Sequence, residues 1–172
     1  QFQVSEGGSL TIAKDADSAG TNILIANTTE QEVAKFKFTA VDDSANITEF
    51  KVKNAVYNSN TNETDARISS LKLYLGSTLL SEAVPVNNSA TFYISGNKLL
   101  VNANASAVVS VKAVFTEIDA SANSGKTLQV QIVKDSVKAK ASAGSELATI
   151  TGDTSSANTM TIMKTKPTFA KV

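Results

Sequence analysis

Val33-Ala-Lys-Phe-Lys-Phe-Thr-Ala40 is the stretch whose reading decides the fold. In an extended chain successive side chains point to opposite faces, so Phe36, Phe38 and Ala40 line one face while Lys35, Lys37 and Thr39 line the other. Wound into a helix, residues two apart would lie about 200° from each other, and no apolar stripe would form. The stretch is therefore predicted to be a strand with one dry face and one wet face.

The same period of two recurs along the chain. Leu10 and Ile12 share a face, and Ile23–Ile25 is a short apolar run. Phe50 and Val52 oppose Glu49, Lys51 and Lys53, and Leu71, Leu73 and Leu75 oppose Lys72 and Tyr74. Phe92 pairs with Ile94. Val109, Val111, Ala113 and Phe115 oppose Ser110 and Lys112. Leu128, Val130 and Ile132 oppose Gln129 and Gln131; Val137, Ala139 and Ala141 oppose Lys138 and Lys140; Met160 and Ile162 close the series. Between these runs lie Ser/Asn/Gly/Asp clusters such as Gly7-Gly8, Ser95-Gly96-Asn97 and Gly152-Asp153, which suit tight turns. Helical periodicity is confined to one weak turn around Ser142–Ala148. The prediction is an all-β fold: a two-sheet antiparallel immunoglobulin-like sandwich of about nine or ten strands over one core. Residues 1–166 are expected to form this single domain, with 167–172 a terminal linker or strand toward a neighbour.

Composition narrows the function. Lysine plus arginine and aspartate plus glutamate both number 16, so there is no field of one sign to attract nucleic acid or an anionic membrane. Arg67 is the only arginine, which removes the fork that reads phosphate and guanine. There is no cysteine and no histidine, so disulfides, thiolate zinc sites and the commonest general base are excluded. A serine nucleophile would need lysine or carboxylate as its base; Ser69 and Lys72 have that spacing but enter a strand rather than a helix. An internal Lys–Asn isopeptide bond would need lysine in the core, and every strand lysine has outward parity. The chain is expected not to be an enzyme. No apolar run approaches the length of a membrane span, and the chain opens on Gln1, as after removal of a leader or in a fragment.

Some residues have binding potential. Asp15-Ala-Asp17-Ser-Ala-Gly20 matches the opening of a calcium loop, with carboxylates two apart, but lacks the bidentate glutamate that closes such a loop; a solvated Asx turn is the commoner origin of such a stretch. Asp42, Asp43, Asn46 and Asp153 are scattered alternatives. The sequence thus suggests no cofactor beyond calcium at Asp15 and Asp17. Asn27, Asn46, Asn62, Asn87 and Asn104 each begin a glycosylation sequon, though a chain with 14 Asn, 20 Ser and 19 Thr produces sequons by composition alone. Asn62 sits in the long polar tract Tyr57–Ala66, the best acceptor position. Sugar binding would draw on Tyr57, Tyr74 and Tyr93 as stacking platforms.

Leu10-Thr-Ile12, Ala34-Lys-Phe-Lys-Phe-Thr-Ala40, Ile47-Thr-Glu-Phe-Lys-Val-Lys-Asn54, Leu71-Lys-Leu-Tyr-Leu-Gly-Ser-Thr-Leu79, Val109-Ser-Val-Lys-Ala-Val114, Lys126-Thr-Leu-Gln-Val130 and Lys164-Thr-Lys-Pro-Thr168 follow one another in order. This succession resembles the tandem sandwich domains of large prokaryotic surface-layer and adhesin-type proteins. The resemblance implies an extracellular, cell-surface location and places Lys164–Thr168 between consecutive domains; it carries over no functional residue. After Pro167 a new alternation starts, Thr168-Phe-Ala-Lys-Val172, and Phe2-Gln-Val4 opens the chain in the same manner. These ends are expected to link copies or neighbouring domains head to tail, with Phe2, Val4, Pro167, Phe169 and Val172 as assembly residues, in a surface layer, stalk or filament. The alternative is an adhesin module that recognises a glycan or host protein through its loops. The expected partners are other copies or neighbouring domains of the same surface protein, with no nucleic acid and no membrane span.

Overall fold

The computed structural model describes residues 7–26, 29–56, 68–118, 124–152 and 156–165. Thirteen strands occur among them: β1 (Ser9–Lys14), β2 (Ile23–Ile25), β3 (Gln31–Val41), β4 (Ala45–Asn54), β5 (Ile68–Leu75), β6 (Thr78–Ala83), β7 (Ser89–Tyr93), β8 (Leu100–Val101), β9 (Ser106–Phe115), β10 (Lys126–Leu128), β11 (Val130–Lys140), β12 (Thr149–Thr151) and β13 (Met160–Met163). The protein is an all-β sandwich. One layer is a six-stranded sheet in the order β12-β1-β3-β9-β5-β6. The other combines β11-β4-β7 with β10-β13-β2, and β8 adds to β4. Its two parts run on through a nearly continuous strand, because only Gln129 separates β10 from β11 and the Ala157 amide donates to the Val130 carbonyl at 2.7 Å.

The parity read from the sequence is the parity of the core. Phe36, Phe38, Phe50, Val52, Leu71, Leu73, Val109, Val111, Leu128 and Val130 are all buried. Phe38 of β3 meets Phe50 of β4 across the layers at 5.6 Å between ring centroids, and Phe50 meets its cross-strand partner Phe92 at 5.5 Å, both tilted. Burying each such ring stabilises the fold by roughly 1.5–3 kcal/mol, with about 0.5–1.5 kcal/mol more for each tilted pair. Beta bulges adjust the fit. One in β3 lets Val33 and Ala34 both turn inward. A larger one in β11 loops out Lys134 and Asp135, and Ser136 Oγ accepts the Lys51 amide at 2.8 Å.

Three features depart from the sequence reading. The strands are more numerous than expected, because β6, β8 and β12 each bury at most one side chain and show no alternation to be read, and the run Leu128–Ile132 divides at Gln129 into β10 and β11. Two pairings are parallel, β1 with β12 and β2 with β13, each formed by a strand from the C-terminal part of the chain. The helical turn expected around Ser142–Ala148 is a tight hairpin: Lys140 bridges Glu146, and the Leu147 amide donates to the Ala139 carbonyl at 2.8 Å. Gly144 at a φ of 83° takes the corner, a left-handed geometry that a helix excludes. Gly152 is sterically required, since a Cβ there would collide with the backbone carbonyl of Ile12 where β12 passes β1. Among the described residues no helix is long and apolar enough to cross a membrane.

Replacing Phe38 by alanine is expected to lower the unfolding free energy by about 3–5 kcal/mol in denaturant titration. A loss near zero would mean that Phe38 does not seal the two layers.

Candidate functional site

Asp15 and Asp17 follow β1. The Asp17 amide donates to Asp15 Oδ1 at 3.0 Å, and the Ser18 amide to the Asp15 carbonyl at 3.1 Å, so the pair builds an Asx turn. Glu32, Lys35 and Lys112 line the same open depression, and the two ammonium groups oppose a cation there. No group of three or more acidic side chains suited to a metal occurs among the described residues. Asp43 is held below the usual carboxylate range by hydrogen bonds from Ser142 and from the Ser44 amide, which tie the β3–β4 turn to the β11 hairpin.

Of the five sequons, Asn27 and Asn62 lie outside the described residues. The Asn46 side chain donates to Asn97 Oδ1 at 2.6 Å and is half-buried. Asn87 and Asn104 are exposed turn residues at φ 48° and 56°. Phe2, Val4, Pro167, Phe169, Val172 and Tyr57 also lie outside the described residues. Ser69 stands in β5 and donates its hydroxyl to the Val114 carbonyl at 3.1 Å, a structural use. The buried polar residues are Ser18, Asn54 and Ser70, so no described lysine enters the core where an isopeptide bond would form.

Tyr74 and Tyr93 point outward from different layers and form no common platform. Tyr74 belongs to a polar cluster on the six-stranded sheet. Its hydroxyl donates to both carboxylate oxygens of Glu30 at 3.0 Å, and Lys72 and Lys112 approach the same carboxylate at 3.3 and 3.4 Å. The Lys112 ammonium also lies 4.4 Å from the centre of the Tyr74 ring. Burial pushes the Glu30 carboxyl up, but the bonds from Tyr74, Lys72 and Lys112 outweigh it and hold Glu30 below the ordinary value. Lys72 and Lys112 are cross-strand neighbours, so Glu30 screens two like charges that would otherwise repel.

Tyr93, read from the sequence only as a sugar platform, stands on the other layer. β7 is an edge strand there. The Ile94 amide bonds to Thr48 and the Asn54 amide to Asn88, so the hydrogen-bonding groups of Thr91 and Tyr93, one residue out of phase, point away from β4. No backbone partner among the described residues meets them. Val86 and Ser89 close a two-residue turn by exchanging backbone bonds at 2.8 and 3.2 Å, with Asn87 and Asn88 both at positive φ, and the chain enters this turn from β6 in the opposite layer. This leaves an open groove along β7 lined by Glu82, Val84, Val86, Thr91 and Tyr93. Val84, Val86 and Tyr93 are 66%, 65% and 68% exposed. The Val-Pro-Val-Asn-Asn run, apolar residues two apart before a turn pair, was the available signal. Lys51 also lines the groove, and beside it Lys53, Lys138 and Lys140 stand out from β4 and β11, with Lys138 paired to Glu49 at 2.8 Å.

No protein-family model matches the sequence, and no curated protein matches it. Solved structures are similar in chain path. CaCohA2 from Clostridium acetobutylicum matches at 8% identity over 94% of this chain and 96% of its own, with a TM-score of 0.46. The Coh-OlpC module of a type I cohesin–dockerin complex from Clostridium thermocellum matches at 7% identity over 94% and 100%, with a TM-score of 0.46. The third cohesin of ScaC from Acetivibrio cellulolyticus, solved with the ScaB dockerin, matches at 10% identity over 90% and 99%, with a TM-score of 0.38. Likeness at these scores assigns neither family nor partner. The fold and its surfaces define a β-sandwich module with an open edge.

Glu30→Gln is expected to lower the melting midpoint at neutral pH, because Lys72 and Lys112 lose their shared carboxylate. A carboxyl whose folded value is depressed contributes stability above its ordinary value of 4.5 and loses it as the pH falls through the folded value, so the two melting curves should converge once the pH is below that folded value. For Asp15 and Asp17, equal midpoints in calcium and in chelator are expected; a calcium-dependent rise would show a site, since a ligand of the folded state alone must stabilise it.

Proposed function

We propose that this chain is a non-enzymatic structural building block of a prokaryotic cell surface, joined head to tail to further copies or neighbouring domains through extended strands. The observation that carries the reading is the unpaired edge of β7 beside exposed Val84, Val86 and Tyr93. Such an edge templates pairing with another chain, and proteins that do not use one cover it or place a charge on it. The rest of the surface fits an assembly unit. The outward lysines guard the sheet faces, and the polar side chains that catalysis would need are engaged in structural bonds, Ser69 to Val114 and Glu30 to Tyr74 and its lysines. An extracellular location agrees with the resemblance to tandem surface domains and with a chain free of thiols.

A second reading, an adhesin-type binding module, is favoured by one feature. Lys51, Lys53, Lys138 and Lys140 project from one sheet face around Tyr93, and Glu49 is the carboxylate paired among them. That face would take an acidic protein or acidic glycan, with a salt-dependent encounter.

Sedimentation velocity over a range of concentrations, with negative-stain microscopy, separates the two. The building-block reading expects concentration-dependent chains that Val84→Lys/Val86→Lys reduces to monomers without changing the melting midpoint. A wild-type protein that stays monomeric at every concentration would leave the adhesin reading.

A further inference from the structure

The geometry points to the β7 groove as the acceptor for residues Pro167–Val172 of a second copy, added as an extra strand. This inference rests on the building-block reading and names its contact. The acceptor offers two kinds of recognition. The outward amides and carbonyls of Thr91 and Tyr93 would bond an extended backbone, the strand-addition mode in which main-chain bonds supply affinity and alternate side chains supply specificity. Val84 and Val86 provide an exposed apolar strip, and the Glu82 carboxylate and the Lys51 ammonium line the same groove.

The segment Pro167-Thr-Phe-Ala-Lys-Val172 matches that acceptor chemically. Phe169 and Lys171 have the same parity, so both would face the groove: Phe169 against Val84 and Val86, Lys171 toward the Glu82 carboxylate. Thr168 and Ala170 would face away. Proline at the start is compatible with an added edge strand, since its missing amide falls before the paired stretch.

The occupant comes from another copy because its own is out of reach. In the second layer β13 is separated from β7 by the β10–β11 strand and by β4, a lateral distance of about 14 Å. Along the strands, the register puts Met163 and Thr91 about eight residue steps apart, roughly 26 Å. Phe169 lies six residues beyond Met163 and reaches about 21 Å at full extension, short of the combined distance of about 30 Å. A contact between one molecule's end and another's middle is heterologous and does not close, so it propagates into a chain.

The test uses a fluorescein-labelled Lys166–Val172 peptide, Lys-Pro-Thr-Phe-Ala-Lys-Val, titrated by anisotropy against the protein truncated after Thr165. Saturable binding is expected, weakened about tenfold or more by Phe169→Ala in the peptide. Thr91→Pro in the protein should weaken it to the same extent, since it deletes an edge amide that points away from β4 and so leaves the sheet bonds intact. Val84→Lys/Val86→Lys, with an unchanged melting curve, provides the same check should Thr91→Pro fail to fold. Binding that is indifferent to both variants would overturn the assignment. A closed dimer that survives removal of residues 166–172 would do the same, by showing β7 paired to β7. Chains of the full-length protein with no peptide binding would sink the acceptor and leave the building-block reading; the absence of chains and of binding would sink both.

Discussion

The contact of Phe38 with Phe50 across the two layers is the constraint on which the rest of the structure depends. It ties the central strand pair of one sheet to the central strand of the other, and Phe92 extends it to the edge. Once those rings are buried, a one-residue slip of β3 or β4 would put lysines into the core and phenylalanines into water, so the register of the neighbours is set as well. The bulges in β3 and β11 are accommodations to that demand: they absorb extra residues without disturbing the strands that carry the rings.

A sandwich sealed at its centre still has to manage its edges. On one side, short strands from the C-terminal part of the chain are laid in parallel on β1 and β2, and Gly152 is there because only a residue without a side chain passes the Ile12 carbonyl. The opposite side is treated differently. The Val86–Ser89 turn satisfies only the first residue of β7, and the segment that arrives from the other layer leaves Val84 and Val86 exposed. Outward lysines elsewhere, and the Glu30 cluster that holds two of them together, keep the faces wet. The groove on β7 stands apart from this pattern because two exposed valines border it and its backbone groups point outward.

The chemistry of the chain agrees with a role in contact rather than turnover. Without histidine or cysteine, acid–base work would fall to lysines, carboxylates and hydroxyls, and those described in detail are committed to structural bonds: Glu30 to Tyr74, Lys72 and Lys112, Glu49 to Lys138, and Ser136 to the β4 backbone. What is left to recognise a partner is shape, backbone and charge: an edge, a pair of valines and a lysine-bearing face.

The sequence by itself determined the all-β class, the inward and outward parity of each long strand, and the residues of the core. It did so because alternation is a local property, and Phe36, Phe38, Phe50 and Val111 declare their face through their immediate neighbours. It left undecided whatever depends on which strands become neighbours. The parallel partnership of Leu10 with Ile150 joins residues 140 positions apart, and no local pattern encodes it. Glu30 gathers Tyr74 and Lys112 from strands remote in sequence, and each of the three reads alone as a solvated surface residue. Asp15 and Asp17 read as a candidate calcium site, and only the tertiary structure showed which groups share their depression: the Glu32 carboxylate and the ammonium groups of Lys35 and Lys112. Only the tertiary structure made β7 an edge. Thr91 and Tyr93 look the same in sequence whether or not a strand lies beside them, and the deciding fact is that the chain arriving from β6 in the other layer pairs with β7 only at Val86.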